Sequence, residues 1–310
     1  MRSWILGLDT SNYKTSAALY CPDDGTWRAC GRLLEVPEGT LGLRQSDALF
    51  QHVRQLSARV REACDGLDGA IRAVGVSTRP RDREDSYMPC FLAGQCVGES
   101  IAAALGVPVF GFSHQQGHIA AAALSAGRLD LLEQPFYAWH LSGGTTELLR
   151  VEPAEDRIIR AEIAGGTGDI SAGQLIDRLG VRLGMPFPAG PYVEQAALGA
   201  SGDEWFPVRL DGLTFSFSGV QNQYEARLDK GADAGSVCRF VLLTVGQTVL
   251  RATRRARGER YLPVLISGGV SVCSLVQELF AREHGVIFAQ NGLGGDDAVG
   301  TAVLASMRLR

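Results

Sequence analysis

The apolar positions fall into short runs that recur in the same order in two halves of the chain. Residues 4–11 (WILGLDTS), 15–21 (TSAALYC) and 27–36 (WRACGRLLEV) are separated by polar turns and predict three strands. Residues 44–65 place apolar side chains at helical spacing and predict a long amphipathic helix. A strand at 72–78, a helix at about 90–106, a strand at 108–112 and a helix at 114–127 follow. The second half starts again with strands at 136–143, 145–152 and 157–164. After a mostly helical insert at about 170–257, it closes with a strand at 263–268, a helix at 271–283, a strand at 286–289 and a helix at 296–308.

Each half therefore reads βββ-α-β-α-β-α. Hairpins followed by crossover helices make a mixed sheet flanked by helices. The expectation is an α/β protein of two duplicated RNase H-like subdomains, as in actin, the sugar kinases and the heat-shock chaperones. The first spans 1–130. The second spans 131–310 and contains the insert, with the last helix (296–308) expected to pack on the first subdomain.

Length and composition narrow the class. A chain of 310 residues, 45% apolar and 21% charged, can bury two ordinary globular cores. No apolar run reaches transmembrane length. The opening MRSWILGLDT is too short a hydrophobic stretch for a signal peptide, so a cytoplasmic protein that does not enter membranes is expected. Seven cysteines, an odd number without a CxxC pair, point to reduced thiols rather than a disulfide framework. A formal charge of −4 does not advertise nucleic-acid binding, so any RNA contact falls to local arginines. One group lies in RATRRARGER (251–260), where cations also suit a helix C-terminus. Another is Arg79, Arg81 and Arg83, offset by Asp82, Glu84 and Asp85, which reads as a solvated loop.

Candidate chemistry sits at the turns. In each half the first two strands meet in a tight turn of small or hydroxylic residues, LDTSNYKTS and LSGGTT. The backbone N–H groups of such hairpin tips can cradle phosphate oxygens, and Gly143 and Gly144 beside Ser142 let the backbone come close. A third glycine turn, SGGVS at 267–271, carries Gly268 and Gly269 where a strand feeds a helix, whose N-terminus favours anions. His114 and His118 in SHQQGH are spaced i, i+4 at the start of a predicted helix, which puts both imidazoles on one face. The spacing is HxxxH without the Glu of HExxH, which argues against a zinc peptidase of that kind. His140 on the strand before LSGG, and Asp296 beside Asp297 at the last helix, could complete a site for zinc, iron(II) or manganese. HxxxH by itself is also common among packed and surface histidines.

These motifs, in this order, resemble the TsaD family of tRNA adenosine threonylcarbamoyltransferases over nearly the whole chain. The matching stretches are GLDTSNYKTSAAL, SHQQGH, HLSGGTTEL, DISAGQLIDRLGVRLGMPFPAGP, LTFSFSG, SGGVSVCS and DDAVGTAVLA. The resemblance implies an actin-like fold and ATP or an acyl-adenylate as ligand. It also implies a divalent metal (iron or zinc, with manganese or magnesium as alternatives) and transfer of a threonylcarbamoyl group to the amine of a tRNA adenosine. Protein subunits of a tRNA-modification complex would be partners.

By resemblance, His114, His118 and Asp296 would hold the metal, and His140 stands where some members place a ligand tyrosine. Ser142, Gly143, Gly144, Asp177 and Gly190 match nucleotide-contacting positions. His140, Leu141, Gly268, Gly269 and Cys273, which replaces a usual Asn, complete the nucleotide set. The family's acidic pair in the first turn is replaced by Tyr13 and Lys14, the candidate catalytic residues, and a Glu of the paired-histidine motif by Gln116. The chain therefore reads as a divergent paralogue. The alternative is a nucleotide-binding regulatory or scaffold subunit without catalysis. A small-molecule kinase on the same fold would leave the histidines unexplained.

Overall fold

The computed structural model describes the whole chain except residues 1, 12, 37–41, 84, 259–260 and 291–296, with only the backbone at 297. The chain forms two compact units. The first comprises residues 1–134, 152–161 and 292–310; the second comprises 135–151 and 162–291.

In the first unit, β1 (Arg2–Ser11), β2 (Lys14–Tyr20) and β3 (Trp27–Leu33) form an antiparallel meander. Helix α1 (Gln45–Ala63), β4 (Gly69–Arg79), α2 (Phe91–Leu105), β5 (Val109–Ser113) and α3 (His114–Ser125) follow, and the sheet order is β3-β2-β1-β4-β5. Strand β1 is buried from Trp4 to Ser11 because helices cover both of its faces. Trp4, Leu6, Leu8, Ala17 and Leu19 join Leu56 of α1 in a core on one face. The chain's last helix, here α9 (Asp297–Arg308), covers the other.

Glycines let α9 approach the backbone closely. A Cβ on Gly7 of β1 would lie 1.9 Å from the Ala298 carbonyl oxygen, and one on Gly75 of β4 would lie 2.4 Å from that of Thr301. On the helix itself, a Cβ on Gly300 would lie 1.9 Å from the Gly117 carbonyl oxygen of α3.

The second unit repeats the order. Strands β6 (Phe136–Leu141), β7 (Thr146–Ala154) and β8 (Ile158–Thr167) precede β10 (Val264–Ser267) and β11 (Val286–Phe288), in the order β11-β10-β6-β7-β8. The inserted helices are α4 (Ala172–Arg182), α5 (Gly190–Leu198), α6 (Ser218–Asp229) and α7 (Ala234–Arg257), with α8 (Ser274–Leu279) after β10. The insert also adds a short strand, β9 (Thr214–Phe215), at the edge beside β8, which periodicity over two residues could not reveal. Helix α7 is buried along most of its length from Val237 to Thr253 and sits in the core, where Thr253 accepts the indole N–H of Trp139 at 2.8 Å. No helix among the described residues is long and apolar enough to cross a membrane.

One buried histidine has a measurable consequence. His52 of α1 is fully buried; its Nδ1 meets Thr15 Oγ1 at 2.8 Å and its Nε2 has no partner among the described residues. Burial lowers its pKa to about 4, against a smaller opposing pull from Asp9. The unfolded chain, titrating near 6.5, binds more protons between pH 6.5 and 4, so stability falls as pH drops through that window. Urea unfolding at pH 7 and pH 4.5 should differ by roughly 2–3 kcal/mol in the native protein. His52→Gln should remove that difference, and a difference of the same size in the variant would place the titration elsewhere.

Candidate functional site

The paired histidines open α3 as the spacing predicts. Ser113 caps the helix in a reciprocal box: its Oγ accepts Gln116 N–H at 3.2 Å and Gln116 Oε1 accepts Ser113 N–H at 2.7 Å. Gln116 is buried and also donates from Nε2 to the Ile159 carbonyl at 2.5 Å. An ionised Glu could keep the cap but could not make that second bond. This gives a structural reason for the amide at 116.

The His114 and His118 rings lie edge to face with centroids 4.2 Å apart. His114 Nδ1 meets Asp9 Oδ2 at 2.9 Å, and Asp9 is 1% exposed on β1. Ser77 Oγ and the Ser11 N–H also donate to Asp9. Burial alone would raise the Asp9 pKa, but the charge and hydrogen bond of His114 and the bonds from Ser77 and Ser11 outweigh it. They hold Asp9 well below the usual carboxylate range. That charge belongs to protonated His114; in the neutral imidazole, a carboxylate accepting Nδ1–H fixes the tautomer that presents Nε2 as a lone-pair donor, the usual support for a metal-ligating histidine. Two adjacent imidazoles, one so oriented, fit a divalent transition metal.

The expected third ligand, Asp296, lies outside the described residues. Among the described residues no cluster of three or more ligand side chains forms. His140 lies on β6 of the second unit, in register with Glu147 and Ser267.

Strand pairing also fixes Lys14. Because Ser11 pairs with Lys14 and Asp9 with Ser16, the Lys14 side chain shares the sheet face of Asp9. Its Cε takes the space that a Cβ on Gly31 would fill, 2.3 Å away. Tyr13 is 44% exposed at the hairpin tip.

In the second unit, Gly143, Asp177, Gly190, Gly269 and Cys273 line one cavity of about 400 Å3. A Cβ on Gly143, Gly190 or Gly269 would meet nothing within 4 Å, so these backbones border open space. Asp177 Oδ1 accepts the Ala189 N–H at 2.8 Å, which ties α4 to the loop before α5. Glu194, absent from the sequence-based set, also lines the cavity. It lies one helical turn beyond Gly190 on the same face of α5, the spacing that could have found it. Its Oε1 accepts the Ser274 N–H at 2.7 Å and the Ser274 hydroxyl at 2.6 Å. The remaining walls are mostly apolar, including Ile176, Leu242, Val270 and Val272. Burial pushes the Cys273 thiol up to about 11, aided by Glu194, which favours its protonated form at neutral pH.

The other predicted positions support this cavity. Gly268, at φ +97°, lets the chain lie on Leu141: a Cβ there would be 2.4 Å from the Leu141 carbonyl oxygen, which also accepts Val270 N–H at 2.9 Å. Ser142 Oγ accepts the N–H of Gly144 at 3.3 Å and of Thr145 at 3.1 Å, so two of the turn's donors are engaged within the turn. Helix α4 seats on this turn, with Ser171 Oγ donating to the Gly143 carbonyl and Gly173 N–H to that of Ser142.

The glycine pair at 268–269 does not open a helix. A turn at 270–273 intervenes, and α8 is shorter than the predicted 271–283. The FSFSG motif is ordered by Asp169, which accepts the Phe217 and Ser218 N–H groups at 2.9 Å each.

The arginine groups are largely structural. Arg251 donates to the Val208 carbonyl, Arg254 pairs with Glu283 at 2.7 Å, and Arg257 is buried against the Leu262 and His284 carbonyls. In the second group, Arg83 and Asp85 pair with each other at 2.9 Å on the surface as expected, whereas Asp82 pairs with Arg157 at 2.7 Å and is nearly buried.

A family model described as tRNA N6-adenosine threonylcarbamoyltransferase matches residues 87–298. Two relatives of that name, from two strains of Thermus thermophilus, are each 30% identical over 314 residues. They cover 98% of this chain and 93% and 92% of their own lengths. Among solved structures, full-length HypF in its phosphate- and nucleotide-bound form aligns with a TM-score of 0.63 at 14% identity, over 99% of this chain and 56% of that one. The Clostridium difficile activator of 2-hydroxyisocaproyl-CoA dehydratase with bound ADPNP aligns at 0.54 and 12% identity, over 99% and 96%. A ROK family glucokinase from Streptomyces griseus aligns at 0.54 and 16% identity, over 98% and 99%. These likenesses establish the duplicated RNase H-like fold. The family match and the full-length relatives, together with the motifs above, place this chain in the tRNA N6-adenosine threonylcarbamoyltransferase family.

Proposed function

We propose that the chain binds an adenine nucleotide and a divalent metal and transfers a carbamoyl-type acyl group, such as threonylcarbamoyl, from an adenylate to an amine, with tRNA adenosine as the acceptor. The observation that carries this reading is the convergence of Gly143, Asp177, Gly190, Gly269 and Cys273, spread over 130 positions, on one cavity. Among the described residues, its side chains offer two carboxylates and no cation. That suits the uncharged nucleoside part of a ligand, whose hydroxyl and amino groups donate to carboxylates. Phosphates belong at the glycine turns, where the backbone N–H groups not already bonded within the turn, together with serine and threonine hydroxyls, can donate.

His114 and His118, with Asp296, would hold the metal. When bound, such an ion polarises an acyl oxygen and eases attack by the amine. In the transfer, the amine nitrogen bonds to the carbamoyl carbon and gives up one proton to water, the bond from that carbon to the phosphate oxygen breaks, and AMP departs with the bonding electron pair. Asp9 keeps His114 in its ligating tautomer. Lys14 supplies positive charge on the Asp9 face in place of the family's acid, and Tyr13 presents a phenol at the hairpin tip. With tRNA would come the partner subunits implied by the family, in the cytoplasm.

The test has two arms. Tag-free protein should carry about one metal equivalent by elemental mass spectrometry, and His118→Ala should lose it. Incubation with the threonylcarbamoyl adenylate and unmodified tRNA should yield modified adenosine by nucleoside mass spectrometry. No metal in the native protein after reloading would sink the metal assignment. Nucleotide and metal binding without transfer to any tRNA pool would favour the non-catalytic scaffold instead, a reading supported by loss of the acidic pair.

A further inference from the structure

The loop that carries Phe187 is built to hold an aromatic ring in the open. Phe187 is 76% exposed, more than any other large apolar residue described, yet it lines the nucleoside cavity. Singly exposed apolar side chains are common on protein surfaces, and Tyr261 is nearly as exposed; what sets Phe187 apart is that its exposed ring borders a cavity. Its backbone has little freedom to hide it. Pro186 and Pro188 flank it, and proline fixes φ. Before it, Met185 N–H bonds to the Gly180 carbonyl of α4 at 2.8 Å. After it, Ala189 N–H bonds to Asp177 Oδ1, also of α4, at 2.8 Å.

The loop also sits hard against that helix. A Cβ on Gly180 would lie 2.1 Å from the Ala189 Cβ, so glycine is what allows the seating. Phe187 is thus the apex of a short loop pinned at both ends. A second apolar residue of the same lining, Val272, is 38% exposed.

We propose that Phe187 is a stacking residue, a pre-set platform for the flat heteroaromatic base of the bound nucleoside. The proposal rests on the nucleotide reading above and adds to it the residue that holds the base. A loop backbone fixed before binding leaves only the two side-chain torsions of Phe187 to be ordered when the base arrives. Stacking does not distinguish one base from another, since every base has a π face. Any preference for a base rich in donors comes from Asp177 and Glu194, the carboxylates among the described lining residues.

The test compares the native protein with Phe187→Ala and Phe187→Tyr. Because the side chain is exposed and touches little, thermal unfolding should be unchanged in both. By calorimetry, Phe187→Ala should bind adenosine roughly 5- to 100-fold more weakly, while Phe187→Tyr stays close to native. With 2-aminopurine riboside as probe, the bound base should be quenched by the native protein and by Phe187→Tyr, and released from that quenching in Phe187→Ala. Adenosine affinity in Phe187→Ala within about twofold of native, or quenching that survives the loss of the ring, would overturn the stacking role and leave the nucleotide reading intact. A native protein that binds no adenosine at all would sink both.

Discussion

Gly300→Ala should destabilise the first unit by on the order of 3 kcal/mol, although the same change in an open helix would stabilise it by about 1 kcal/mol. The sign reverses because of what the new methyl group meets. At Gly300 it would stand 1.9 Å from the Gly117 carbonyl oxygen, 2.7 Å from the carbonyl carbon and 3.0 Å from Ala121 N, all backbone of α3. Backbone cannot rotate aside as a side chain can, so the helices must separate. Helix α9 cannot simply shift the other way, since its Ala298 and Thr301 carbonyls already rest on Gly7 and Gly75 of the sheet. Gly219→Ala in α6 is the control, because its nearest neighbour is a Phe206 ring atom 4.0 Å away. Urea denaturation of both variants decides the matter. A Gly300→Ala protein as stable as the control would mean that α3 and α9 tolerate a wider spacing.

Asp9→Asn should weaken metal binding about 10- to 100-fold with little change in secondary structure, and Asp9→Leu should fail to fold stably. The first change keeps the shape but removes the charge that orients His114. The second strands His114, Ser77 and the Ser11 N–H without their common acceptor in a buried site. The carboxylate also gives the fold an acid limit distinct from that of His52. Its folded pKa lies below its ordinary value near 3.8, so its stabilising contribution is complete above that value and is lost as pH falls beneath it. His52 acts higher, between pH 6.5 and 4. Acid denaturation followed by circular dichroism should therefore begin in one range and finish in the other. In Asp9→Asn the lower step should shrink while the upper one remains. Metal affinity equal to native in Asp9→Asn would show that the carboxylate only packs.

The repeated strand order was readable because each half presents three short apolar runs before its first helix, and alternation survives small errors in boundaries. The paired histidines were equally plain, since i, i+4 spacing forces them together whatever else the helix does. Asp9 was harder. It looks like the polar end of a strand, and its role appears only when β1 is buried on both faces and α3 brings His114 to it. The cavity was half legible: glycines and Asp177 mark themselves in motifs, whereas Leu242 and Val272 look like any core residue until the chain folds. Strand β9 and the shortened α8 were missed for a simple reason: two paired residues or one and a half turns carry no period. Gln116 read as a departure from a motif; the Ile159 carbonyl beside it shows why an amide sits there.

The path of the chain between the two units has a practical outcome. It crosses from one to the other four times, so neither unit is a single stretch of sequence. Ending a recombinant protein at residue 134 would leave behind the 152–161 segment and α9, and with them the cover over Gly7 and Gly75. Such a fragment would expose an apolar sheet face and should be recovered only as aggregate. A synthetic peptide of residues 292–310, supplied during refolding, is the natural complement, and soluble reassembly with it would turn this helix into a reporter for folding of the first unit.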